Sequence, residues 1–175
     1  MIKWGILSTA KIATEQIIPA ILESKNSIIY GIASRDLKKA KKLVKQFDIQ
    51  EAFSSYKDIL NCKKIDAIYI PLPTSQHIEW SIFSLRAQKH VLCEKPIALN
   101  VKEIDKLDLE IKKSNKIFSE AFMVYYHPQW KKVKKLISDG EIGDLKHVQG
   151  CFTYFNIDPK NMRNIPELGG GVLPD

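Results

Sequence analysis

The chain of 175 residues is 45% hydrophobic and 27% charged, which suits one packed domain with room for part of a second and excludes a disordered, collagen-like or disulfide-stapled chain. No apolar run approaches the roughly 20 residues of a membrane span. The net charge of +7 comes mainly from dispersed lysines, with Arg35, Arg86 and Arg163 the only arginines, so no nucleic-acid partner is expected.

The start, Met1-Ile2-Lys3-Trp4-Gly5, lacks the basic and long apolar regions of a secretory leader. Cys62, Cys93 and Cys151 lie far apart and fit neither a disulfide framework nor a zinc pattern. A cytoplasmic protein with no membrane partner and no metal is the expectation.

The elements follow in chain order. Ile2 to Leu7 reads as a strand and Lys11 to Glu23 as an apolar helix. Ser27 to Ser34 is nearly continuous in apolar residues, as a strand covered on both faces should be. Residues 36–47 carry Ala40, Leu43, Val44 and Phe47 on one helical stripe. A short strand at Ala52-Phe53 and a short helix from Tyr56 to Asn61 come next. Ile65 to Ile70 and His90 to Cys93 read as strands around a helix from Ser75 to Ala87. Asn100 and Glu103 form a capping-box variant ahead of a helix bearing Val101, Ile104, Leu107 and Ile111. Residues 116–122 give one more strand. This alternation is the signature of βαβ units and a parallel sheet.

Beyond it the character changes. Pro128 to Ser138 is an amphipathic helix stopped by Gly140, Leu145 to Ile157 reads as a long alternating strand, and residues 158–175 are loop-like with three consecutive glycines. The expected organisation is a Rossmann-type domain over 1–121, then the start of a second α/β (α+β) domain with an open sheet over 122–175.

Three segments carry chemistry. The first leaves a strand and opens a helix with Ser8-x-Ala10-x-x-Ala13, a degenerate form of the G-x-G-x-x-G/A turn. Small residues there let the backbone approach a pyrophosphate, and the helix N-terminus supplies N–H donors. An ordinary tight βα turn is the other reading. At the end of the second strand stand Ala33-Ser34-Arg35, where an NAD site would place Asp or Glu. Ser34, Arg35 and, one helical turn on, Lys39 suit the 2′-phosphate of NADP. Asp36 would favour NAD instead if the strand ran longer.

The second segment, Tyr69-Ile70-Pro71-Leu72-Pro73-Thr74-Ser75-Gln76-His77, lies at the carboxyl end of a parallel strand, the edge where open α/β sheets bind ligands. Thr74 or Ser75 is placed to cap the next helix, and His77 is either a site residue or a packing histidine. The third, His90-Val91-Leu92-Cys93-Glu94-Lys95-Pro96, puts two charges at the same edge before a proline whose peptide bond is a candidate for cis. Lys95 is a candidate for proton transfer, with a surface Glu–Lys pair as the alternative.

In this order, WGILSTAKIA, ASRD, PLPTSQH, CEKP, EAFMVYYHPQW and IPELGGGVLPD resemble the Gfo/Idh/MocA family of NAD(P)-dependent oxidoreductases, over the whole chain. The resemblance implies hydride transfer between NADP, with NAD as the other option, and a sugar, polyol or related carbonyl or alcohol substrate. It places Ser8, Thr9, Ala10, Lys11 and Ile12 at the pyrophosphate, and Ser34, Arg35 and Lys39 around the adenosine ribose or its phosphate. Leu72, Pro73 and His77 would flank the cofactor. Glu94 and Lys95 would sit by the nicotinamide ribose and substrate, Lys95 handling a proton, and Arg163 would reach the cofactor. Asp175 is the first residue of a second catalytic motif. Tyr125 stands where the family often has Arg. The family also implies a longer chain and a homo-oligomer. A truncated, non-catalytic dinucleotide-binding remnant is the competing expectation.

Overall fold

The structure is a computed structural model that describes residues 1–171. Six strands form one all-parallel sheet: β1 (Ile2–Leu7), β2 (Ser27–Ala33), β3 (Glu51–Phe53), β4 (Ala67–Ile70), β5 (His90–Glu94) and β6 (Phe118–Ala121). Their order is β3-β2-β1-β4-β5-β6, the doubly wound Rossmann order. Side-chain alternation along the strands divides the core between the two faces. Leu7, Ile68 and Ile70 pack on one side with Ile59 of α3 (Tyr56–Asn61), Leu85 of α4 (His77–Arg86) and Leu107 of α5 (Val101–Ser114). Ile6 and Tyr69 point to the other, against Ile18 of α1 (Ile18–Glu23) and Ala40 of α2 (Leu37–Phe47). A Cβ on Gly5 would lie 2.9 Å from Ile68 Cδ1 and 3.1 Å from the Cδ1 atoms of Ile59 and Ile65, so glycine lets these three core side chains close over the central strand.

The helical expectations hold with local changes. The first helix carries a π-helical turn over Ala13–Ile17 ahead of α1. Asp36 caps α2, and Asn100 accepts from Glu103 N at 3.1 Å as expected of a capping residue. The side chain of Glu103 accepts from Leu99 N, one residue earlier than in a standard capping box. Neither Thr74 nor Ser75 caps α4. A 3-10 turn over Thr74–Gln76 leads into that helix, and Thr74 is buried instead. The β4 strand begins at Ala67, two residues later than its apolar run, and β6 is shorter than expected.

The long strand expected over Leu145–Ile157 does not form. Those residues are irregular, with Phe152 and Phe155 about nine-tenths exposed at 90% and 86%. Alternation alone does not make a strand. A ladder needs a neighbour to receive its N–H and C=O groups, and no strand among the described residues pairs with this segment. Helix α6 (Pro128–Ser138) forms as read, with none of its residues fully buried and Trp130 half exposed.

Candidate functional site

The topology reverses between β1 and β4, which lie side by side while their crossover helices cover opposite faces. Parallel sheets of this kind open a crevice there, beyond the carboxyl ends of the strands. Two cavities fill it and share Ser8. One, of about 280 Å³, is lined by Ser8, Thr9, Ser34, Arg35, Asp36, Lys39 and Tyr56. The other, of about 660 Å³, runs from Ala10, Lys11 and Ile12 past Leu72, Pro73 and His77 to Glu94, Lys95 and Arg163. Every described residue that the resemblance places at the cofactor or substrate therefore lines one of these two cavities. Asp175 lies outside the described residues.

The turn after β1 is held by its own side chain. Ser8 donates its backbone N–H to Ala33 O at 2.8 Å, and its Oγ accepts from Ala10 N at 2.9 Å. Ser8 has φ 110°, a region that glycine occupies without penalty and serine does not. The substitution of the first glycine thus keeps glycine-like backbone geometry. Thr14 N makes a helical bond to Ala10 O, so the amides of Lys11, Ile12 and Ala13 belong to the first turn, whose donors have no partner further back in the helix. This cradle fits a diphosphate: small side chains, several amide donors and the positive end of a helix.

At the end of β2, Asp36 borders the smaller cavity and also serves as a helix cap. Its carboxylate accepts from Lys38 N and Lys39 N as the N-cap of α2. Ser34 is nearly buried and accepts from Asp36 N at 3.1 Å through Oγ, which leaves its hydroxyl hydrogen to donate. Arg35 and Lys39 add two positive charges to the same cavity.

The two loops after β4 and β5 are joined by one histidine. His77 is 1% exposed, with Nε2 2.7 Å from Leu72 O and Nδ1 2.7 Å from Pro96 O. Its ring lines the cleft, but its nitrogens are engaged with the backbone. Lys95-Pro96 is a cis peptide bond, and Ile97 N donates to Glu120 Oε1 of β6 at 2.9 Å. The turn that carries Lys95 is thus held on both sides. Glu94 accepts from Tyr69 Oη at 2.6 Å. Burial first, then the neighbouring Glu94 carboxylate, hold that phenol protonated far above its ordinary range.

Beyond Lys95 the cleft continues into residues that sequence reasoning missed. A third cavity, of about 520 Å³, is bounded by Lys95, Arg163 and the segment holding Phe152, Thr153, Tyr154, Asn156 and Asn164. Reading 145–157 as sheet hid this role. The glycine triplet folds back against the same segment. A Cβ on Gly170 would lie 2.4 Å from Met162 O and 2.6 Å from Arg163 O, so only glycine admits the approach.

Comparison with known proteins agrees with this geometry. Residues 2–122 match the Gfo/Idh/MocA family described as "Oxidoreductase family, NAD-binding Rossmann fold", and residues 130–175 match the GFO/IDH/MocA C-terminal domain. The chain belongs to the Gfo/Idh/MocA oxidoreductase family. It is 41% identical over its whole length to an uncharacterized oxidoreductase of Rhizobium meliloti, covering 52% of that protein. It is 32% identical over 174 residues, 99% of the chain, to the dTDP-3,4-didehydro-2,6-dideoxy-alpha-D-glucose 3-reductase of Saccharopolyspora spinosa, again covering 52% of the relative. The crystal structure of a 3-ketoreductase from Actinomadura kijaniata, in complex with TDP-benzene and NADP, superposes with a TM-score of 0.75 at 32% identity, over 79% of this chain and 44% of that one. The chain spans about half the length of the curated relatives it matches. Among the described residues no helix is long and apolar enough to cross a membrane.

Proposed function

We propose that this chain forms the cofactor-binding half of an NADP(H)-dependent oxidoreductase acting on a sugar, polyol or nucleotide-linked sugar. The observation that carries the reading is the single cleft that joins the Arg35 cavity, through Ser8, to Lys95. The amides after β1 hold the diphosphate. Ser34, Arg35 and Lys39 hold the adenosine 2′-phosphate; β2 ends at Ala33, and Asp36, whose Oδ1 caps α2, borders the same cavity. The bound NADP of the Actinomadura kijaniata ketoreductase supports the same preference.

When bound, the nicotinamide supplies or takes the hydride. Lys95 Nζ gives a proton to the substrate oxygen in reduction and takes one in oxidation. Glu94 fixes the nicotinamide ribose, with its carboxylate oriented by Tyr69. Leu72 and Pro73 exclude water from the cofactor face, and His77 holds their loop in place. Arg163 closes the cleft from the second domain, whose boundary falls after β6 near residue 121. Asp175 is assigned to the substrate side. The polar and aromatic wall of Thr153, Tyr154, Asn156 and Asn164 suits a polyhydroxylated ring. A cytoplasmic homo-oligomer is the form proposed for the whole protein.

Fluorescence titration of this chain with NADPH and NADH tests the reading. NADPH is expected to bind at least tenfold tighter. Equal or reversed affinities overturn the 2′-phosphate assignment, and no binding of either overturns the cofactor site.

A further inference from the structure

Strand β6 carries a carboxylate where its pattern calls for an apolar side chain. Phe118 packs on the α4–α5 face of the sheet, and alternation puts Glu120 on that face too, opposite the buried Cys93 of β5. A part-buried carboxylate that faces a core keeps its charge only where it is hydrogen-bonded. Glu120 has such a bond, since its Oε1 accepts from Ile97 N at 2.9 Å. Its carbonyl accepts from Phe122 N at 2.9 Å, which turns the chain just past the strand and leaves Glu120 at the carboxyl end of the sheet. The residue does not line the cavity of about 660 Å³ that holds Lys95, so it meets neither cofactor nor substrate there.

Glu120 grips one end of a peptide group whose other end is gripped by His77. Pro96 O lies 2.7 Å from His77 Nδ1, and Ile97 N, in the same peptide group, donates to Glu120. The Pro96–Ile97 bond is trans, so its C=O and N–H point in opposite directions. One hold comes from the start of α4 and the other from the end of β6, and rotating the peptide plane would break both. The proline ring locks φ of Pro96, so fixing the peptide after it also fixes the direction in which the chain leaves Lys95. On the other side Glu94 is held in the β5–β6 ladder and by Tyr69. The Lys95 backbone is thus set from both of its neighbours.

We propose that Glu120 is a positioning residue for Lys95. Its carboxylate and His77 clamp the Pro96–Ile97 peptide between them, and the clamp sets where the Lys95 side chain enters the nicotinamide end of the cleft. A hydrogen bond to a carboxylate is about twice as strong as a neutral one, which suits a group that must hold a loop at the ligand edge. This rests on the assignment of Lys95 to the reacting end of the cofactor and adds to it the edge-strand residue that holds the lysine there.

The test is NMR of this chain after reductive methylation with isotope-labelled methyl groups, which keeps every lysine charged. The Lys95 signal is identified by its loss in Lys95→Arg. Oxidised NADP is then added, with its affinity read from tryptophan fluorescence. The Lys95 signal of the parent should move. In Glu120→Leu the movement should fall to less than about a quarter and the Ile97 amide should exchange at least tenfold faster, with NADP affinity within threefold of the parent. Glu120→Gln keeps an acceptor oxygen and should retain more than half of the movement. Glu120→Asp keeps the charge but ends one methylene short, so it should behave as the leucine variant and carries the test if that variant does not fold. Full movement in Glu120→Leu or Glu120→Asp overturns the proposal, as does a loss in Glu120→Gln equal to that in Glu120→Leu, which would assign the effect to charge alone. If the parent signal moves and the Glu120→Leu signal moves equally, the Lys95 reading stands and only the role of Glu120 falls. If the parent binds NADP without moving the Lys95 signal, or does not bind it, both fall.

Discussion

Tyr69 donates its phenolic hydrogen to Glu94 across 2.6 Å, tying β4 to its neighbour β5 where the cleft opens. The tyrosine is fully buried among the residues on the α1–α2 face of the sheet, while Glu94 reaches the ligand edge. A core residue thus orients a carboxylate that lines the cleft. Tyr69→Phe keeps the ring and removes one hydrogen bond to a charged group, which costs about 1.5–3 kcal/mol in folding free energy. Urea unfolding of the two proteins should show that loss. A difference below about 0.5 kcal/mol would mean the bond contributes no net stability.

Much of this arrangement was legible in the residues. The six strands, their parallel sense and the placement of Ser8, Ser34, Leu72 and Lys95 at one edge follow from apolar runs alternating with helical stripes, because burial on both faces imposes that pattern. Three things were not legible. Tyr69 looked like one apolar position among others, since the bond to Glu94 depends on β4 and β5 becoming neighbours. The 145–157 segment had strand alternation without a partner strand, and local pattern carries no information about whether one is present. The same lack of local signal hid Tyr56, which meets the cavity through its contact with Trp80, 24 positions away in the chain.

His77 braces two loops through their carbonyls, Leu72 O and Pro96 O, both at 2.7 Å. Replacing it with leucine fills similar space and removes both polar partners. At least one of the two carbonyls loses its N–H donor, which costs about 1–3 kcal/mol, so His77→Leu should lose at least about that much stability. Backbone amide exchange should quicken at residues 72–77 and 95–97 more than in β1. Uniform exchange changes across the sheet would count against a local brace.

Gly170 packs against the carbonyls of Met162 and Arg163 more closely than any Cβ allows, and Gly171 N donates to Arg163 O at 3.0 Å. Gly170→Ala forces this turn apart, an overpacking change of about 1–3 kcal/mol for that segment. The Rossmann core should unfold at an unchanged denaturant midpoint, because Gly170 belongs to neither of the sheet's two apolar clusters and a Cβ there would meet the Met162 and Arg163 backbone. Limited proteolysis should cut faster within 158–171. An unchanged cleavage rate there would show that the turn accommodates a side chain.

Cys93 sits in β5 immediately before Glu94 and is fully buried, whereas Cys151 is exposed. Burial pushes the Cys93 thiol up to about 12, against an ordinary value of 9.0. At pH 8 a disulfide reagent should therefore modify Cys151 at once and reach Cys93 only when denaturant is added, since the thiolate is the reacting form. The same shift has a consequence for stability. The folded state retains this proton while the unfolded chain releases it, so the thiol's contribution is fully present below about pH 9 and is lost as pH climbs toward 12. Three units set an upper limit of about 4 kcal/mol on that contribution. Cys93→Ala should lower the baseline stability by removing packing atoms and should also flatten the decline between pH 9 and 12. An equally steep decline in the variant would assign the alkaline transition to other groups, Tyr69 first among them.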